Sequence, residues 1–239
     1  MINRFYISIP LVLLMLTFVS CSGQLGNILK EVGLEEVSTE EVALGLKEAL
    51  TSGTSKGSDQ LSARDAFYKS IYKIALPQDA KNVCDKLRVI PGFTKLEDDM
   101  VRKINYAAED AAKKAKPIFV QAIKQITIKD AWNILRGVDN AATEYLQKTT
   151  TQALYEQFNP VITQALNQQG ALDLWSSAVT SYNKIPFVKQ ANPDIAAYVT
   201  NKALDALFSQ IAIEEKNIRN NLAARTSDLL KKVFANQDK

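Results

Sequence analysis

Apolar residues recur at spacings of three and four along most of this chain, and that period limits the fold to packed helices more than any other feature does. The cleanest run is Val101, Ile104, Ala108, Ala111, Ala115 and Ile118, one stripe down a single helix face. Ala196, Thr200, Ala203, Leu204, Leu207, Ile211 and Ile218 form a second stripe near the C-terminus. The expected fold is therefore all-α, a multi-helix bundle. A short extended segment is expected at most near residues 71–77, where polar and apolar residues alternate in part before Pro77.

Capping and breaking residues set the expected boundaries. Ser38 with Glu41 three residues later reads as a capping box opening a helix to about Ser52. Thr51 to Ser58, rich in Gly, Ser and Thr, reads as a flexible polar loop, followed by a helix from about Asp59 to Ser70. A short helix is expected over Gln78–Val89, ending at Pro91-Gly92. Pro117 predicts a kink or a fresh helix start in the long stripe, and Pro160 a break or bend in the helix capped by Asp139. Thr127 to Asp130 caps a short helix ending near Arg136-Gly137. Further helices are expected over Ala171–Asn183, from Pro193 to about Asn220, and over Thr226–Phe234, with Pro186 and Pro193 framing a loop.

The chain opens with Asn3-Arg4, an apolar run from Phe5 to Val19, then Ser20-Cys21. A short basic head, an apolar stretch and a small residue before cysteine are what a bacterial export signal with a lipid-attachment cysteine requires. The expected organisation is a signal peptide over residues 1–20, a lipidated tether over 21–37 and a single helical domain over 38–239. The apolar run is short for a bilayer span, which favours its removal. A diacylglycerol and an N-acyl chain such as palmitate on Cys21, at about 0.8 kcal/mol per buried methylene, would anchor the protein stably. Ser22, with no acidic residue beside Cys21, points to the outer membrane, facing the periplasm.

There is no histidine and there are two cysteines. That composition removes Ser-His-Asp and Cys-His nucleophile pairs, the commonest zinc sites and the usual proton shuttle near neutral pH. With Cys21 lipidated, Cys84 has no disulfide partner within the chain and reads as a buried structural thiol. A net charge of +3, part of which leaves with Arg4, gives no footprint for nucleic acid. No cofactor or metal site is expected, and no catalytic constellation is recognisable.

Four polar residues stand out as candidate ligand or buried structural groups. Glu214 interrupts the C-terminal apolar stripe, so its carboxylate needs a cation, several donors or a retained proton. Thr143, Thr150 and Gln157 lie on the same side as Leu146 and Ala153, a half-apolar face that could line a groove or form a bundle shoulder, with threonine hydroxyls returning to backbone carbonyls. Glu215 lies off the stripe and pairs naturally with Arg219, a contact worth a few tenths of a kcal/mol on a surface. Glu109 and Asp110 read as a solvated face.

A set of ordered blocks then carries a family resemblance. Gly45-Leu46-Lys47-Glu48-Ala49-Leu50, Lys86-Leu87-Arg88-Val89-Ile90-Pro91-Gly92, Ile104-Asn105-Tyr106-Ala107-Ala108-Glu109, Asp130-Ala131-Trp132-Asn133-Ile134-Leu135-Arg136-Gly137 and Glu214-Glu215-Lys216-Asn217-Ile218-Arg219 resemble the bacterial family catalogued as domain of unknown function 4197. The resemblance covers nearly all of the chain after the leader. It implies a mainly helical, exported lipoprotein without an assigned activity, and it carries no catalytic residues. The first functional expectation is thus a lipid-anchored interaction or scaffolding module with an envelope protein partner. The alternative is a carrier or sensor of a small apolar or amphipathic ligand held between helices.

Overall fold

The computed structural model describes residues 37–125, 127–192 and 194–237. The leader, Cys21 and the tether up to Glu36 lie outside them, as does Pro193. Among the described residues the secondary structure is entirely helical: α1 Thr39–Leu61, α2 Gln78–Leu87, α3 Leu96–Gln125, α4 Ala131–Leu135, α5 Ala141–Gln168, α6 Ala171–Asn183, α7 Ala196–Asn220 and α8 Asp228–Phe234, with 3-10 turns at Leu222–Ala224 and Ala235–Gln237. The four long helices form the core. α1 packs on α3 and α7, and α5 closes the ring by packing on the same two. Short α2 and α6 pair with each other, while α4 and α8 lie against α1.

The capping box forms as read: the Glu41 amide donates to Ser38 Oγ at 3.1 Å, and the Ser38 amide to Glu41 Oε2 at 2.8 Å. The helix that it opens does not stop at Ser52. Residues 51–58, expected as a loop, continue α1 without interruption to Leu61, and the separate helix expected from about Asp59 to Ser70 does not form, residues 62–72 being turns and bends. The reason is packing. Gly53, Thr54, Gly57 and Ser58 are buried at helical spacing, so over this stretch the inward face is written in small residues, between the buried Leu50 and Leu61. A β-carbon on Gly53 would sit 3.1 Å from both Cα and the carbonyl oxygen of Ile211, and one on Gly57 2.8 Å from Cβ of Gln210. α1 and α7 approach closely because α1 lacks side chains along this seam, and that burial overrides the poor helix propensity of glycine.

Both prolines expected to break helices sit inside continuous ones, Pro117 in α3 and Pro160 in α5. Each proline is exposed, and so are Lys113 and Glu156, the residues four positions earlier whose carbonyls lose a donor. Water can satisfy those carbonyls on the outer face. The segment near residues 71–77 contains no strand. Asn105 holds it instead: its Oδ1 accepts the Ile74 amide at 2.8 Å, and its Nδ2 donates to the Ile74 carbonyl at 2.8 Å and to Val101 O at 2.6 Å. One buried carboxamide thus does for a single residue what a neighbouring strand would do.

Candidate functional site

The predicted polar residues do not converge on one site. Glu214 is 9% exposed, and of the three ways open to it, a cation, several donors or a retained proton, it takes the first, in Lys56 of α1. Thr150 is buried, and its hydroxyl donates to Leu146 O at 2.6 Å; Thr149 and Thr151 return to Tyr145 and Gln147 in the same way. Gln157 and Ala153 are exposed, which corrects the face assigned to them. A spacing of seven drifts about 20° per repeat on a straight helix. Steps of four turn the opposite way, by about 40° each, so the buried positions Leu146, Thr150, Leu154, Phe158 and Ile162 rotate away from the side on which Gln157 lies.

Thr143 belongs to a different cluster, built around a residue read as superficial. Glu215 is completely buried, not a surface partner of Arg219. Its Oε1 accepts the Ala142 amide at 2.9 Å and Arg219 Nε and Nη2 at 2.9 and 2.7 Å. Its Oε2 accepts both the amide and the hydroxyl of Thr143 at 2.7 Å. The carboxylate therefore caps the N-terminus of α5, where free amides and the helix dipole favour negative charge. Arg219, also buried, uses two further donors on the carbonyls of Leu135 at 2.6 Å and Ile134 at 3.1 Å, closing the end of α4. Arg225 closes α7 in the same manner, donating to Ile218 O and Arg219 O at 3.0 and 2.9 Å.

Glu109 is a second correction. It is buried, not solvated, and its Oε1 accepts the amides of Phe67 and Tyr68 at 3.1 and 3.3 Å. These carboxylates and guanidinia are consumed by backbone groups and by each other. They hold helix ends in register and leave little capacity for a reacting molecule. Cys84 is buried as expected. Burial, aided by the charges of Glu97 and Asp85, pushes its thiol up to about 12, so almost none of it is thiolate near neutral pH. Among the described residues no group of Cys, Asp and Glu is placed to hold a metal ion, and no helix is long and apolar enough to cross a membrane.

What the sequence reading missed is a cleft of about 390 Å³ where α2, α6 and α7 begin or end. Trp175 and Tyr182 from α6 and Tyr198 from α7 supply its aromatic wall. Asp79, Asn82, Lys189, Gln190, Asn192 and Asp194 supply its polar rim. Hydrogen bonds from α6 hold the end of the connection, residues 191 and 192, as a wall. Asn183 grips the Ala191 backbone on both sides, accepting its amide at 2.9 Å and donating to its carbonyl at 3.3 Å. Trp175 Nε1 donates to Asn192 O at 3.3 Å, and Asp194 Oδ1 accepts the Ala196 amide at 3.0 Å at the start of α7. Tyr198 reaches across to Ala75 O at 2.8 Å, and its burial raises the phenol's pKa. The available signal was Trp175 and Tyr182 seven residues apart beside a proline-framed loop.

The cleft and the Glu215 cluster lie far apart. Twenty residues of α7 separate Ile195 from Glu215, about 30 Å of helix at 1.5 Å per residue. One end of the molecule spends its polar groups on structure; the other leaves a partly open, mixed polar and apolar concavity. Comparison with curated proteins and with solved structures returns no match. Residues 36–235 match the family described as "Protein of unknown function (DUF4197)", and the chain belongs to that family.

Proposed function

We propose that this protein is exported, anchored by lipid on Cys21 to the outer membrane on its periplasmic side, and binds a small amphipathic ligand without catalysis. The observation that carries the binding half is the cleft walled by Trp175, Tyr182 and Tyr198 with a rim of amides, carboxylates and Lys189. Its volume falls in the range of ordinary ligand sites, and its aromatic wall with a few polar groups suits a molecule with one apolar and one polar part. The same cleft moves the carrier or sensor reading ahead of the scaffold reading. Exposed apolar side chains such as Ile71, Val89 and Leu222 are single exposures of a kind most proteins carry.

Anchoring is supported by the leader and Cys21 alone. Cells labelled with a palmitate analogue should place label on the wild-type protein and none on Cys21→Ser, which should persist as a longer precursor. An unlabelled wild-type protein in the soluble periplasm would remove the anchor from the account. Binding is tested separately by native mass spectrometry of the chain purified gently from envelopes. A bound mass of a few hundred daltons is expected, and the bare chain alone would count against the cleft as a carrier site.

A further inference from the structure

The connection that walls the cleft carries an exposed aromatic tip held in a left-handed backbone. It reads Lys184-Ile185-Pro186-Phe187-Val188-Lys189. Phe187 stands wholly clear of the protein at 107% exposure, and its φ is +64°. A bulky L side chain rarely holds that left-handed backbone. Among the described residues Asp65 is the other non-glycine with positive φ, and it is a residue type that tolerates the conformation and pairs there with Lys69 at 2.9 Å. Phe187 has no such compensation: it gains no burial from the fold that holds it in a strained form.

Charge indicates what the tip meets. Lys184 and Lys189 flank Phe187 and are both exposed, and residues 184–192 contain no carboxylate. Asp79 and Asp194 belong to the cleft rim, and Asp194 is engaged by the start of α7. An aromatic ring between two cations matches the headgroup region of an anionic bilayer, where the ring enters the interface and the ammonium groups meet phosphates. A protein groove with an acidic rim is the other outcome of the test, since it would leave the ring unquenched on anionic vesicles.

We infer that the Phe187 tip is a membrane-contact element for an anionic lipid surface. Its consequence rests on the cleft reading above: Lys189, Gln190, Ala191 and Asn192 line the cleft, so a docked tip brings the cleft's mouth to the bilayer and a ligand can pass between them. The contact itself is tested apart from the ligand. The full chain with Phe187→Trp is mixed with vesicles whose acyl chains are brominated, and the wild-type emission of Trp132 and Trp175 is subtracted. The added emission should be quenched on vesicles rich in phosphatidylglycerol. It should stay unquenched on phosphatidylcholine, and on either surface once Lys184→Gln and Lys189→Gln are also present.

Phe187→Asn supplies the second readout, because asparagine accepts the left-handed backbone. Its unfolding midpoint should equal or exceed that of the wild type. An added emission that is unquenched on anionic vesicles, or equally quenched on both kinds, would overturn the inference. So would a lowered unfolding midpoint in Phe187→Asn, which would mean that the ring serves the fold. A ligand found by mass spectrometry without vesicle quenching would leave the cleft in place and remove the membrane contact.

Discussion

Glu215→Ala is expected to cost about 3–5 kcal/mol of folding stability, the range for stripping one partner from a buried ion pair. The substitution leaves Arg219 buried with no counter-charge and leaves the Ala142 and Thr143 amides at the start of α5 without an acceptor. Urea unfolding should show a lower midpoint with little change in slope, since the surface exposed on unfolding stays nearly the same. Glu215→Gln should lie between, because an amide keeps the volume but turns a donor toward amides and a guanidinium. An exposed pair such as Arg88 with Asp85 makes the contrast: breaking it should hardly be measurable. A wild-type midpoint in Glu215→Ala would mean that the cluster does not hold α4, α5 and α7 together.

Gly53→Leu should be nearly as damaging, about 3 kcal/mol, the upper part of the usual range for overpacking. The new β-carbon alone would stand 3.1 Å from the backbone of α7 at Ile211, and backbone cannot rotate out of the way. Gly53→Ala should be milder, since better helix propensity returns up to about 1 kcal/mol against the clash. Thermal unfolding of both variants checks the order. A Gly53→Leu protein as stable as the wild type would show that α1 and α7 are not held at the distance described.

The pattern that identified the helices was legible because alanines and larger apolar residues, both good helix formers or core residues, mark α3 and α7 at helical spacing. It failed on α1 because Gly53, Thr54, Gly57 and Ser58 are loop-formers by local preference and seam residues by tertiary packing. No local reading separates the two, since the partner that makes small residues favourable, Ile211 with Gln210, lies about 150 residues away in the chain. The prolines misled for a related reason. Pro117 and Pro160 are breakers only where the freed carbonyl cannot reach water, and both face outward.

Charged positions were harder still. A cation, several donors or a retained proton would each serve Glu214 in its apolar stripe, and Lys56 supplies the cation. Glu109 and Glu215 sit off the apolar stripes of their own helices, a position that points to a solvated or superficial carboxylate. They are buried by other elements: Glu109 by the turn at Phe67 and Tyr68, and Glu215 by the start of α5. Periodicity reports a helix's own face, not what packs onto its flank. The cleft stayed hidden for the same reason, since α2, α6, α7 and the 184–195 connection each give it only a few residues.

The most direct measurement is native mass spectrometry of the envelope-purified chain beside Ala191→Trp. Ala191 lines the cleft, and its backbone is held by Asn183, so an indole there fills the space while the wall keeps its position. If the cleft is the binding site, the wild type carries an additional small-molecule mass and Ala191→Trp carries none, with the two unfolding at similar temperatures. A wild type that is bare under every purification, or an adduct that persists unchanged in Ala191→Trp, would contradict a ligand-binding role for this cleft.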